Sequence, residues 1–245
     1  MERAYAETKR WGRESLEMRA SSPVADTAVD SEDHLRSRVY GLLARLLGNV
    51  PGPDTLELLS LVDGQSADGD TLGLAWRDLC AAASEATPQS LSDEFHALFV
   101  GLGRGELVPH GSWYMTGYLM ERPLAALRQD LSQLGFERED SVKEPEDHAA
   151  ILCDVMAALT ADDSGFDAAT RADFFRRHMA PWMGRFFEDL TTAKAAGFYR
   201  SVGHFAKLFI EIEQQFYGDK PAVSALTPQA VVRTISVKGV TPKAG

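Results

Sequence analysis

The sequence predicts an all-α protein, a single-domain helical bundle. Three observations carry that expectation. Apolar residues recur at helical spacing in nearly every patterned segment. Strict period-2 alternation is missing except for a weak instance in VVRTISVKGV near the C-terminus. The chain has 245 residues, enough for one substantial core or two small ones. A charged, irregular stretch, FEREDSVKE at residues 136–144, is the best hinge candidate and separates an N-terminal from a C-terminal helix group.

The elements follow in order. Residues 1–30 mix both charge signs and have no apolar h-region, so they are expected to be a polar, flexible extension rather than a secretory signal. Residues 31–217 form the helical domain. Ser31 can cap a helix to about Leu47, with Leu35, Val39, Leu42, Leu43 and Leu46 at helical spacing, and Gly48 and Pro51-Gly52-Pro53 end it. A short helix from Thr55 to Val62 precedes DGQSADGD, a loop by composition, after which Asp70 can cap a helix carrying Leu72, Trp76, Leu79 and Cys80. Thr87-Pro88 opens the next helix, which carries Leu91, Phe95, Leu98 and Phe99 and stops at the glycine-rich GLGRGELVPHG. Helical pattern resumes through SWYMTGYLM and from Pro123 to Leu134, with Gly135 suited to the position after the cap. Pro145 to about Leu159 reads as a helix apolar almost all round. Asp167 to His178 follows, Pro181 kinks or restarts the chain, and Gly197 to Tyr217 closes the bundle with Phe198, Val202, Phe205, Leu208, Phe209 and Ile212 inward. The tail, 218–245, is expected to lie along the surface or stay flexible.

Composition narrows the function classes. No apolar run reaches the roughly 18 residues a membrane span needs. The formal net charge of −11, with no block of lysine and arginine, argues against nucleic acid. Cys80 and Cys153 form no CxxC, which argues against structural zinc, and each falls on the apolar side of its helix, so two buried free thiols are expected, which suit a reducing cytoplasm.

The chemistry-bearing stretch is KEPEDHAAIL, residues 143–152. Helix capping explains its carboxylates: Glu144 at the cap, Pro145 at the first helical position, Glu146 and Asp147 in the first turn, complementing the helix dipole. His148 fits capping less well, because it opens an apolar stripe through Leu152, Val155, Met156 and Leu159. A hydrogen-bonded His–Asp pair and a binding role both remain open at this point. Glu144 and His148, four apart, could also share a metal, although no HExxH is present. GLGRG follows a helix and lacks GK[ST], so a phosphate loop is disfavoured. Trp113 and Tyr114 are adjacent and cannot face the same way, so one of them is expected to line a cleft.

Several of these blocks resemble one family in sequence order. EFHALFVG (94–101), VPHGSWY (108–114), KEPEDH (143–148), HMAPWMGRFFEDL (178–190) and FYRSVGHFAKL (198–208) are similar to the signature segments of the TorD/DmsD redox-enzyme maturation chaperones. His110 stands where that family usually has an aromatic residue. The resemblance implies a cytoplasmic, all-helical, non-enzymatic chaperone that needs no cofactor or metal. Its partners would be the twin-arginine leader and the apo catalytic subunit of an exported molybdenum oxidoreductase, held back until the cofactor is inserted. Binding residues carry over to Phe95, Gly111, Ser112, Trp113, Glu144, Pro145, Asp147 and His148. A short hinge between sub-bundles further predicts mainly monomer with a domain-swapped dimer. The competing expectation is a metal- or nucleotide-dependent enzyme using Glu144, Asp147, His148 and the GLGRG loop.

Overall fold

The helical spacing of the sequence becomes α1 (Val24–Gly48), α2 (Pro53–Leu61), α3 (Thr71–Glu85), α4 (Pro88–Phe95), α5 (Gly111–Thr116), α6 (Arg122–Gln133), α7 (Ala149–Thr160), α8 (Ala168–His178), α9 (Met183–Thr192) and α10 (Phe198–Gly218). The computed structural model describes residues 24–61, 71–101, 104–139, 142–218 and 233–235. The cap expected at Asp70, the loop at 63–70 and most of both termini lie outside these residues.

α7 is the axis. Nearly every one of its side chains is buried, as its all-round apolar sequence requires, and α1 packs along its length. α10 lies between α9 and α3 and completes the core with Phe198, Val202, Phe205 and Phe209. Arg36 Nε of α1 donates to Glu213 Oε1 of α10 (2.8 Å), and Tyr40 Oη donates to Glu213 Oε2 (3.0 Å), joining α1 to α10 through one buried carboxylate.

Local signals behave as their chemistry dictates. Thr87 caps α4 through a reciprocal pair: its hydroxyl accepts from Ser90 N (3.1 Å), and the Ser90 hydroxyl accepts from Thr87 N (3.0 Å). α4 continues as a π-helical turn, His96–Val100, that ends at Gly101 with φ 61°. A Cβ on Gly101 would lie 2.0 Å from the Arg104 carbonyl oxygen, so backbone crowding accounts for glycine here without any phosphate. Gly135, with φ 76°, follows α6 as expected.

Other expectations are corrected. α1 begins at Val24, so Ser31 lies inside it rather than at its start. Leu35 and Ile212 point to solvent despite their spacing. Cys153 is buried, but Cys80 is only partly so. SWYMTGYLM is helical only to Thr116, because Gly117 turns the chain with φ 83°. Residues 136–144 are not irregular throughout: Phe136–Arg138 forms β1, paired in parallel with β2 (Arg233–Ile235) in the register Phe136↔Arg233, Glu137↔Thr234, Arg138↔Ile235. Such a strand exists only through a partner about a hundred residues away. Finally, α7 starts at Ala149 rather than Pro145, and His148, not Glu144, is its cap.

Candidate functional site

The late start of α7 creates the site. Residues 109–111 and 147–149 run side by side as an isolated antiparallel bridge between His110 and His148. Gly111 N donates to the Asp147 carbonyl (2.9 Å), and Ala149 N donates to the Pro109 carbonyl (2.8 Å). This pairing holds His148 extended, at φ −67° and ψ 137°, so the helix cannot begin before it. Pro145 opens a tight turn that closes when His148 N donates to its carbonyl (3.0 Å). His148 Nδ1 then accepts from Ala150 N (3.1 Å) as the helix cap.

Four polar side chains converge on this corner. Asp147 is 3% exposed; its Oδ2 accepts from Ser112 N (2.7 Å), and its Oδ1 lies 3.4 Å from His110 Nδ1. Burial pushes the Asp147 carboxyl up, but hydrogen bonds from His110 and Ser112 outweigh it and hold the group below its ordinary value. The other nitrogen of His110, Nε2, lies 3.5 Å from Glu144 Oε2. Burial pulls the His110 imidazole down, yet the carboxylates of Asp147 and Glu144 together hold its pKa above the usual histidine value. His148 stacks edge-on against His110, with centroids 5.0 Å apart. Burial and the neighbouring His110 charge push its pKa down to about 3. One imidazole of the pair takes the proton and the other stays neutral.

The three carboxylates of the EPED stretch have three different fates. Glu146 is paired to Arg128 Nη2 of α6 (2.8 Å) and Arg138 Nε of β1 (3.4 Å). Arg138 also donates to the Val142 and Glu144 carbonyls, pinning the loop. Asp147 is buried behind His110. Glu144 alone of the three keeps much of its side chain in solvent, at 42%. His110 holds the Glu144 carboxyl below its ordinary value, against the opposing effect of burial. The cluster is therefore a pre-formed anion at the surface, backed by a buried His–Asp support.

Of the residues singled out in the sequence, Gly111, Ser112, Glu144, Pro145, Asp147 and His148 come together here. Gly111 sits against the Trp182 indole, where a Cβ would meet Nε1 at 3.0 Å. Trp182 Nε1 is itself fixed by donating to the His178 carbonyl (2.8 Å), and the His178 ring is paired with Asp130 (Nε2 to Oδ2, 2.6 Å). Trp113 lies on the other flank of α5, with Arg104 over its ring at 5.1 Å. Together with Tyr114, Leu107, Val108 and Arg185 it lines a cavity of about 460 Å³. Phe95 is not part of the cluster: it is buried and packs on Phe99 and Tyr199, at 5.2 and 6.1 Å between centroids. His110, Arg128 and Arg138 were missed. Only the departure of His110 from the family's aromatic residue signalled it.

His110, Glu144 and His148 offer ligand atoms that lie within 4.8 Å of one another, so the metal alternative would use His110 in place of Asp147. The cap argues against it. Because His148 Nδ1 accepts the Ala150 amide, a neutral ring carries its proton on Nε2 and has no lone pair there for a cation. Of the described residues of the GLGRG loop, Arg104 lies on the Trp113 flank and none is paired with the carboxylates.

The chain as a whole is similar to known proteins. A family model described as nitrate reductase delta subunit matches residues 65–188. The chaperone protein TorD of Vibrio cholerae is 30% identical over 130 residues, 49% of this chain and 59% of that one, so the chain spans about three fifths of that relative's length. The TorD chaperone of Vibrio atlanticus is 24% identical over 211 residues, covering 78% of this chain and 97% of the relative. The Tat proofreading chaperone DmsD of Salmonella typhimurium is 26% identical over 178 residues, covering 69% and 86% respectively. A crystal structure of a putative redox enzyme maturation protein from Archaeoglobus fulgidus shares the fold, with a TM-score of 0.50, 16% identity, and coverage of 73% of this chain and 94% of that one.

Proposed function

Because the chain belongs to the TorD/DmsD family, whose nitrate reductase delta subunit model it matches over residues 65–188, we propose that it is a redox-enzyme maturation chaperone that binds the twin-arginine leader of an exported molybdenum oxidoreductase. It acts in the cytoplasm, without catalysis and without a cofactor of its own. It holds the leader and the apo catalytic subunit and delays export while the molybdenum cofactor is inserted. One observation carries the reading: Glu144 is a half-exposed carboxylate fixed at the surface by His110, and its two acidic neighbours are already paired or buried. A guanidinium is planar and permanently charged, and it binds such a carboxylate through two parallel N–H donors. Asp147 supports this contact rather than making it, because both its oxygens face groups of the protein.

Calorimetric titration with a leader peptide tests the proposal. Glu144→Gln removes the charge at a surface position and should keep the fold. A lost charge-assisted hydrogen bond costs about 1.5–3 kcal/mol, so affinity should fall on the order of tenfold or more. A leader with two lysines in place of the arginines should bind more weakly to the parent protein, because an ammonium cannot form the paired contact. Unchanged affinity in Glu144→Gln, or a parent protein that binds no leader, overturns the reading.

A further inference from the structure

The parallel ladder of β1 and β2 aims the chain after Ile235 at the polar cluster. Arg138 of β1 pairs with Ile235 of β2. Parallel strands run in one direction, so the chain leaving Ile235 heads the same way as the chain leaving Arg138 toward Glu144. The separation is short. Val142 N donates to the Glu139 carbonyl (3.0 Å), so residues 139–142 turn back rather than run on. Arg138 Nη1 then donates to the Glu144 carbonyl (3.4 Å) as well as to that of Val142. The residue level with Ile235 thus touches the residue that carries the exposed carboxylate. The segment that follows Ile235 is SVKGVTPKAG, residues 236–245, which holds Lys238 and Lys243 and no carboxylate. Three extended residues span about 10 Å and eight span about 27 Å, so both lysines are within reach of Glu144.

Charge complementarity gives this segment its place. Residues 137–147 carry six carboxylates, against Arg138 and Lys143 within the same stretch. Arg128 of α6 and His110 add two cations from outside it, and both already face carboxylates, Arg128 at Glu146 and His110 at Glu144 and Asp147. Carboxylates remain in excess. Glu146 is taken by two arginines and Asp147 is buried. At Glu144, Oε2 lies toward His110, and Oε1 has no hydrogen-bond partner among the described residues. We propose that residues 236–245 are a tethered occupant of this carboxylate, with the ammonium groups of Lys238 and Lys243 alternating on it, and that an arginine-bearing partner displaces them. The displacement rests on the leader-binding reading of Glu144. Lysine suits a placeholder. Its ammonium is a single point charge, whereas a guanidinium makes two parallel bonds to one carboxylate, so arginine wins the exchange. The tether offsets the weakness of the lysine contact, because a short linker supplies an effective concentration on the order of millimolar. The consequence is selectivity: a lone lysine of another protein gains nothing over the tail, and a guanidinium does.

The test uses the full chain and the double variant Lys238→Gln/Lys243→Gln, which changes only side chains beyond the ladder. Zero-length carbodiimide coupling joins a carboxylate to an amine only where the two touch. Peptide mass spectrometry of the coupled monomer should find Glu144 linked to Lys238 or Lys243, and a peptide with two adjacent arginines should suppress that link. In calorimetric titration the double variant should bind this peptide about three- to fivefold more tightly than the parent, the scale set by release of one exposed ion pair. Removing two positive charges also makes the whole protein more anionic, so the same substitutions are made on Glu144→Gln, where the gain should vanish. A gain that persists there is an effect of bulk charge and overturns the proposal. Tail links to Glu137, Glu139 or Asp140 without Glu144, or Glu144 links found only in coupled dimer, also overturn it, because the tail is then a ligand of the hinge segment or of a second copy. If no Glu144 link forms and the double variant binds as the parent does while Glu144→Gln binds more weakly, the tail is not the occupant and the leader reading stands. If the Glu144 link forms in the monomer but the parent binds no arginine peptide, the tail is the occupant and the leader reading fails.

Discussion

At His110 the two ring nitrogens face two different carboxylates, Nδ1 toward Asp147 and Nε2 toward Glu144. Only the doubly protonated ring donates to both. Its raised pKa in the fold means that it contributes stability fully present below the ordinary histidine value of about 6.5 and lost as the pH rises through the folded value. His148 works in the opposite direction: with its pKa pushed to about 3, the unfolded chain takes up a proton that the fold refuses, so its contribution fades as the pH falls below about 6.5. Proton titration followed by NMR should show His110 titrating above the ordinary value and His148 remaining neutral to about 3, and Glu144→Gln should bring His110 down. Under the proposed function, the His110 imidazolium is an internal cation that competes with arginine for Glu144, so leader affinity should strengthen as the pH rises through the His110 transition. Affinity independent of pH across that transition would count against this competition. The sequence made the acidic stretch and His148 legible, but not the division of labour among the carboxylates. That division depends on His110, Arg128 and Arg138, which reach the site from elements remote in sequence. Phe95, carried over by resemblance, lies in the core beside Tyr199.

Among the elements, helix bodies were readable from apolar spacing and helix ends were not always so. Thr87 and Asp167 cap where local chemistry says they should. α7 does not start at its proline, because pairing with residues 109–111 holds the chain extended through His148, a contact invisible to local pattern. The same applies to the entry of α10. Glu94 of α4 accepts from the amides of Gly197 (2.7 Å), Phe198 (3.0 Å) and Tyr199 (2.7 Å), so a carboxylate about a hundred residues away caps this helix. Just upstream, Glu106 accepts from Lys194 N (2.7 Å) and Ala195 N (3.0 Å). Glu94→Ala should leave three amides at a helix start without a charged acceptor and destabilise the fold by about 1–3 kcal/mol. A denaturant melt matching the parent would show that solvent caps α10 equally well. The amides of Lys194 and Ala195 hold the Glu106 carboxyl below its ordinary value. Its stabilising effect is therefore present above the ordinary value and is lost as the pH falls through the lowered one.

For the whole molecule, the all-helical class followed from periodicity, and the exception is informative. β1 and β2 pair residues 136–138 with 233–235, so residues 233–235 lie against the candidate hinge segment. The long helices α1 and α10 are tied independently by Glu213, which is buried between Arg36 and Tyr40. Glu213→Ala would remove the shortest of the three carboxylate contacts of the largely buried Arg36, leaving Glu32 (3.5 Å) and Asp33 (3.7 Å), and would take the acceptor from the buried Tyr40 hydroxyl, a loss of about 1–3 kcal/mol readable as a lowered melting temperature. These two ties bear on assembly in different ways. The Glu213 tie lies within the core and is needed in any assembled form, whereas the β1–β2 tie spans the candidate hinge. An exchange of helix groups between two copies has to release or re-form that short ladder, while each copy keeps its core contacts with the partner's equivalent elements. We therefore expect mainly monomer with a dimer that grows with concentration. Thr234→Pro, which removes a backbone donor from the middle of β2 and fixes its φ, should loosen the ladder and raise the dimer fraction at a given concentration. Light scattering after size separation measures this directly. A dimer fraction unmoved by Thr234→Pro would show that the ladder does not guard the hinge, and a large oligomer at every concentration would remove the basis for exchange altogether.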